Sequence, residues 1–219
     1  MLKKWFSYLL PITIYKTSSE FNACLEITWV NGELVLDSKN ANYSYGSLQR
    51  ILRKGLLHIG FENVKAMHEI LILGVAGGSV IQTLKKEFKF VNKITGVEID
   101  PVVLDLANQY FGLNTLNNVD LITYDAFEFV LRTKKKYDLI IIDIFFDTKM
   151  PEFLFEKHFI FRISQIIKNQ GFVIFNTMIL SNDDNQRNVD FCELCAAYFK
   201  IEKLPRVEQH NELLILQKK

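Results

Sequence analysis

Several positions along this chain join a chemically useful residue to a setting where it could act. The first is a glycine-rich turn, Gly74-Val75-Ala76-Gly77-Gly78-Ser79, directly after the apolar run EILIL. Glycines at such a turn let the backbone pass close to a ligand, and a helix starting there offers free N–H groups. The second is Glu98, 24 residues beyond Gly74 and followed by Ile99. A carboxylate at this place can accept hydrogen bonds from both hydroxyls of an adenosine ribose, which a neutral residue cannot match. The third is Asp125, followed by Ala126, after the run VDLITY; an acid there can accept the exocyclic amine of an adenine. The fourth is Asp143, inside the apolar stretch YDLIIIDI. Burying an acid in such surroundings is costly unless it is paired, so this one is expected near the chemistry.

These residues need a scaffold that brings them to one place. From residue 69 the chain alternates continuous apolar runs (EILILG, KITGVEI, VDLITYD, YDLIIIDI, GFVIFNT) with helical stretches (GSVIQTLKKEF, PVVLDLANQYF, AFEFVLRT, FEKHFIFRISQIIKN). Unbroken apolar strands separated by helices specify a parallel sheet covered on both faces. A further helix is expected around residues 185–198, and FKIEKL and ELLILQ read as an antiparallel pair added to the sheet. The fold class is therefore α/β, a doubly wound, mostly parallel seven-stranded sheet. Its ligand belongs beyond the carboxyl ends of the strands, where the glycine turn and the acids fall. The turn does not match G-x-G-x-x-G, because Ala76 stands where the second glycine belongs; this argues against a dinucleotide oxidoreductase.

The first 45 residues have a different character. ITIYKT, LEITWV and ELVLD are short strand-like runs, and Asn31-Gly32 between the last two is a strong hairpin signal. YGSLQRILRKGLLHIG then carries apolar residues at helical spacing. The expected division is a β-hairpin unit over residues 1–45 and a ligand-binding α/β domain over 46–219. The opening MLKKWFSYLLP superficially resembles a signal peptide, but its apolar run is short and no small-residue cleavage site follows, so it is read as part of the fold.

Composition narrows the function classes. Over 219 residues, 49% are hydrophobic and 23% charged, and the formal net charge is +1. Neither a nucleic-acid footprint nor an acidic-membrane partner is expected from that balance. Three cysteines, Cys24, Cys192 and Cys195, suit a reducing, cytoplasmic setting. Cys192 and Cys195 form a C-x-x-C inside a helix-like stretch with no second pair nearby, so both thiols are expected against the core and no metal site is expected.

The stretch from residue 70 to residue 144 resembles the class I S-adenosylmethionine-dependent methyltransferases and, more narrowly, the spermidine synthase family of aminopropyltransferases. VEIDPVVLDLANQYF is similar to that family's segment after the second strand, and ITYDAFEFV to its Gly-Asp-x-x-x-Phe segment. YDLIIIDIF resembles its Tyr-Asp-hydrophobic-Asp-Ser-Ser-Asp, and PEFLFEKHFIFRI the Leu-Phe-x-x-x-Phe-Tyr that follows. The resemblance implies S-adenosylmethionine or its decarboxylated form as cofactor, held by Gly74, Gly77, Gly78, Glu98, Ile99, Asp125 and Ala126. It also implies a small-molecule acceptor, and a homodimer formed through the N-terminal β unit.

The chain departs from the family where the amines would sit. Ala76 replaces the acid that holds the transferable amine, and the two serines after Asp143 become hydrophobic residues. Tyr45-Gly46-Ser47-Leu48 stands where the family has Tyr-His-Glu. On this balance methyl transfer to a small acceptor leads, with aminopropyl transfer and catalytically silent nucleotide binding as alternatives. Asp143 is the catalytic candidate, as base or substrate-orienting group. Residues 145–153, with Phe145, Phe146 and Asp147 at their start, are expected to form a lid over the substrate.

Overall fold

The structure is a computed structural model that describes residues 2–38, 42–44, 46–146, 149–208 and 210–219. Tyr45 of the joining segment and Asp147 of the expected lid lie outside the described residues. A short helix α1 (Leu2–Phe6) leads into β1 (Ile12–Thr17), β2 (Leu25–Val30), β3 (Glu33–Ser38) and β4 (Asn42–Ser44), which form a four-stranded sheet in that order. The hairpin between β2 and β3 turns at Asn31 and Gly32, whose φ values of 49° and 78° are the positive pair that Asn-Gly supplies.

Helix α2 (Ser47–Ile59) and α3 (Phe61–Ala66) join this sheet to the second. There follow β5 (Glu69–Leu73), α4 (Ser79–Lys86), β6 (Lys93–Glu98), α5 (Pro101–Phe111), β7 (Val119–Thr123), α6 (Ala126–Arg132), β8 (Tyr137–Ile142), α7 (Lys157–Ile166), β9 (Ile167–Met178), α8 (Asn182–Cys195), β10 (Phe199–Val207) and β11 (Asn211–Lys218). The second sheet has seven strands in the order β10-β11-β9-β8-β5-β6-β7. β9, β8, β5, β6 and β7 pair in parallel. β10 and β11 form the expected antiparallel pair at one edge of this sheet, with β11, the last strand in the chain, lying antiparallel between β9 and β10.

Alternate residues of each central strand feed opposite cores, which is why the strands read as unbroken apolar runs. Ile70, Ile72, Ile94, Leu139, Ile141 and Ile174 pack with α2, α3, α4 and α5. Leu71, Leu73, Val97, Ile140, Ile142 and Phe175 pack with α6, α7 and α8. Leu25, Ile27 and Leu36 of the small sheet pack on Val103 and Leu106 of α5, beside the edge that carries the acids.

Two element boundaries differ from the sequence reading. The helix expected to run through IIKN stops at Ile166, and β9 begins at Ile167. Gln170 takes φ 60°, and a Cβ on Gly171 would stand 2.9 Å from the Lys168 carbonyl and 3.0 Å from that of Asp138. That crowded point lies inside β9, where the absence of a side chain lets the strand pass close to β8, while the helix gives way to the strand at Ile167 without a loop. The helix expected at 185–198 instead starts at Asn182, because Ser181 and Asp184 form a reciprocal capping box.

Candidate active site

Strand register lines up the chemically distinctive residues. Leu73 pairs with both Val97 and Ile142, and Ile142 pairs with Phe175. One residue further along, Gly74, Asp143 and Asn176 therefore stand side by side at the carboxyl edge, next to Glu98. The backbone fixes the row: Gly74 N donates to Val97 O, Asp143 N to Leu73 O and Tyr124 N to Glu98 O, each at 2.9 Å.

The glycine turn is tight for steric reasons. Gly74 has φ 86°, and a Cβ there would stand 2.1 Å from the Asp143 carbonyl oxygen. Gly78 has φ 77°, and a Cβ would collide with Leu113 at 2.3 Å. Gly77 is buried between them. Ala76 also takes a positive φ, 48°, in the left-handed region that costs a side-chain-bearing residue about 1 kcal/mol.

Glu98 is buried, and its carboxylate ties the turn to the second strand. Oε2 accepts from Val75 N and Ala76 N, both at 3.0 Å, and Oε1 accepts from Asp100 N at 3.2 Å. Burial, helped by the nearby Asp100 carboxylate, raises its pKa against the opposing pull of those three N–H groups. Three of about four acceptor positions on the carboxylate are filled, which leaves one for a ribose hydroxyl. Ile99 is partly exposed beside it.

Asp125 caps α6: one oxygen accepts from Glu128 N at 2.9 Å, and its other oxygen makes no hydrogen bond among the described residues. Ala126 opens the helix and is partly exposed. Asp143 is largely buried, and its Oδ1 accepts from Asn176 Nδ2 at 2.8 Å. Burial first, and then the Glu98 charge, push its pKa up to about 6, while the Asn176 hydrogen bond works the other way.

Sequence reasoning missed three parts of this arrangement. Asn176 follows the fifth apolar run, FVIF, and inspection of that strand end by the same rule would have found it. Asn211 donates to Asn176 Oδ1 at 3.0 Å, but its place depends on the antiparallel insertion of β11. Asp100, buried at the start of α5, accepts from Asn22 Nδ2 at 2.7 Å and from the Ser19 hydroxyl. The loop between β1 and β2 is thereby fastened beside Glu98.

In the segment after Asp143, Phe146 and Lys149 pair through backbone hydrogen bonds of 2.8 and 3.0 Å. Glu152–Phe155 form a 3-10 turn, and Phe153 packs edge-on against Phe127 and Phe159. Phe145 is partly buried, whereas Phe146 is exposed. Away from the row, burial raises the pKa of both Cys192 and Cys195, which suits inert thiols on the core-facing side of α8. Among the described residues no group of three or more His, Cys, Asp or Glu could hold a metal ion, and no helix is long and apolar enough to cross a membrane.

Comparison with known proteins places this edge in a family. Residues 50–202 match the model of the spermine/spermidine synthase domain. The polyamine aminopropyltransferase of Vibrio vulnificus is 29% identical over 149 residues, 67% of this chain and 49% of that protein. That of Sulfurisphaera tokodaii is 28% identical over 160 residues, 70% of this chain and 52% of that protein. The chain thus spans about half the length of these curated relatives. Among solved structures, spermidine synthase from Thermotoga maritima superposes with a TM-score of 0.70 at 18% identity, covering 95% of this chain and 73% of the other. Human methyltransferase-like protein 13, solved with SAH, gives 0.59 at 21% identity over 79% of each chain. At such identities the structural likeness shows the shared fold alone. The domain match, spanning the glycine turn and every acid of the row, shows that the chain belongs to the spermine/spermidine synthase family.

Proposed function

We propose that the chain is an aminopropyltransferase of the polyamine-synthase type, using decarboxylated S-adenosylmethionine as donor. The names of the curated relatives support this reading over methyl transfer, which the sequence alone put first. The observation that carries it is the row Glu98–Gly74–Asp143–Asn176 at one sheet edge. The residues present suit an adenosyl ligand: the Gly74 and Gly78 turn leaves no room for side chains, Glu98 keeps one acceptor position, and Asp125 keeps an unshared oxygen.

In this reading the donor supplies a sulfonium whose adjacent carbon is open to displacement. Glu98 holds the ribose and Asp125 the adenine amine. Asp143, beside the sulfonium, orients the acceptor amine and takes its proton as the new C–N bond forms and the C–S bond breaks, releasing methylthioadenosine. A base with a pKa near 6 is ionised at neutral pH and can attract a cationic amine. The rest of the rate comes from positioning and exclusion of water. By the same resemblance, Ala76 marks a donor-amine pocket that differs from the family pattern, and the hydrophobic residues in place of the two serines after Asp143 point to an acceptor other than putrescine. Incubation with decarboxylated S-adenosylmethionine and a panel of diamines and polyamines, followed by mass spectrometry, tests the reading. An acceptor heavier by one aminopropyl group, with methylthioadenosine, is expected; methylated products from S-adenosylmethionine would replace it.

A further inference from the structure

Residues 2–10 reverse the usual arrangement of a surface helix. Backbone hydrogen bonds continue the turn of α1 past Phe6: Ser7 N donates to Lys3 O, and Leu9 N and Leu10 N to Phe6 O. Leu2, Trp5, Phe6 and Leu9 therefore fall at i, i+3, i+4 and i+7, one stripe of a helical surface. That stripe points to solvent: these residues are 74%, 73%, 57% and 79% exposed, with Tyr8 at 60% and Leu10 at 72% alongside.

The opposite, polar side is the one that is seated. Ser7 is 2% exposed; its hydroxyl accepts from Gly32 N at 2.9 Å and its carbonyl accepts from Asn31 N at 3.0 Å. Lys4 Nζ lies 5.7 Å from the centre of the Trp29 ring. The β2–β3 hairpin thus grips the segment by its polar face and presents the apolar face outward. Six large apolar side chains grouped so exceed the scattered exposure usual on a monomer and mark an interaction surface.

We propose that this face docks on an anionic phospholipid bilayer, as a peripheral anchor lying in the interface plane. The segment's own charge favours that partner: residues 2–10 carry Lys3 and Lys4 and no acid, while Lys16 further on is already paired with Glu26. Trp and Tyr rings with leucines beneath and lysines at the margin match the chemistry of the headgroup boundary. A symmetric contact with a second copy would instead bring two acid-free, lysine-bearing segments together.

The test uses the whole chain with Trp29→Phe, which leaves Trp5 as the sole tryptophan. Vesicles of phosphatidylcholine, with or without phosphatidylglycerol, are mixed with the protein and pelleted. Co-sedimentation and a blue shift of Trp5 emission are expected with phosphatidylglycerol, and about tenfold weaker binding without it or in high salt. A variant with Trp5→Ser, Phe6→Ser and Leu9→Ser should stay in the supernatant while keeping its melting temperature. Equal pelleting of both proteins with unchanged Trp5 emission overturns the proposal. So does a lipid-free dimer that the triple variant converts to monomer and that ignores vesicles, which would assign the face to a second copy.

Discussion

Glu98 and Ala76 are joined directly: the Ala76 amide, held at φ 48°, donates to Glu98 Oε2 at 3.0 Å. One carboxylate thus shapes the glycine turn as well as offering an acceptor to a ligand. Substitution at Glu98 must act on both. Glu98→Ala leaves the buried Val75 amide without its acceptor and frees those of Ala76 and Asp100, so a loss of about 2–4 kcal/mol in stability is expected. Glu98→Gln keeps one acceptor oxygen and should lose about half as much. Urea unfolding together with adenosyl-ligand calorimetry separates the two effects. Binding that survives Glu98→Gln undiminished would remove Glu98 from the ligand's contacts.

By its resemblance to the family, Ala76 also stands where an acid is expected to hold the donor's amine. Aspartate tolerates the left-handed region, so Ala76→Asp can be accommodated without rebuilding the turn. The variant is expected to bind decarboxylated S-adenosylmethionine about tenfold more tightly, on the scale of a charge-assisted hydrogen bond, with little change for methylthioadenosine. Equal effects on the two ligands would show that the donor's amine lies elsewhere.

Gly74 and the Asp143 carbonyl are in closest approach, so Gly74→Ala cannot be absorbed locally. A Cβ at 2.1 Å must push β5 and β8 apart at the site. The positive φ of 86° adds backbone strain of about 1 kcal/mol. The expected outcome is a melting temperature lower by several degrees and loss of donor binding, read by thermal unfolding with and without ligand. Gly112, whose Cβ would come no closer than 3.5 Å to Thr115, serves as the comparison for strain without a clash.

Asp143 carries a pH signature. Its folded pKa, about 6, lies above the ordinary 3.8, so the native state binds more protons than the unfolded chain between those values. Stability from this group therefore falls as pH rises from about 4 through 6 and stays lower above. Asp143→Asn should stabilise the protein at pH 7 by about 1–2 kcal/mol, less than the full shift implies because the side chain is not wholly buried, with no gain below about pH 4. Transfer should collapse in the same variant while donor affinity changes only a few-fold. Asn176→Ala removes the hydrogen bond that holds the pKa down, and should move the acidic limb of the rate profile upward. An unmoved limb would show that Asp143 is not the titrating group.

Much of this was legible in the chain because strand ends announce themselves. Apolar runs buried on both faces hold few polar residues until they emerge, so Gly74, Glu98 and Asp143 stood out, whereas Asp125 follows the half-exposed edge strand β7. Asn176 also ends an apolar run, but β9 continues past it to Met178 and its amide carries no charge to mark it in the sequence. Asn211 and the clasp of Ser19 and Asn22 on Asp100 were hidden, since both depend on contacts between segments 35 to 81 residues apart. The helix α7 boundary misled because Ile163, Ile166 and Ile167 fit a buried helix face and a buried strand equally well.

The central claim is that the row around Glu98 and Asp143 holds an adenosyl sulfonium donor lacking the carboxyl group. Calorimetry of the chain with decarboxylated S-adenosylmethionine, S-adenosylmethionine and methylthioadenosine tests it most directly. The account predicts binding of all three, with the decarboxylated donor and methylthioadenosine tighter than S-adenosylmethionine, and a common loss in Glu98→Gln. Binding of S-adenosylmethionine alone, or of none of the three, would contradict it.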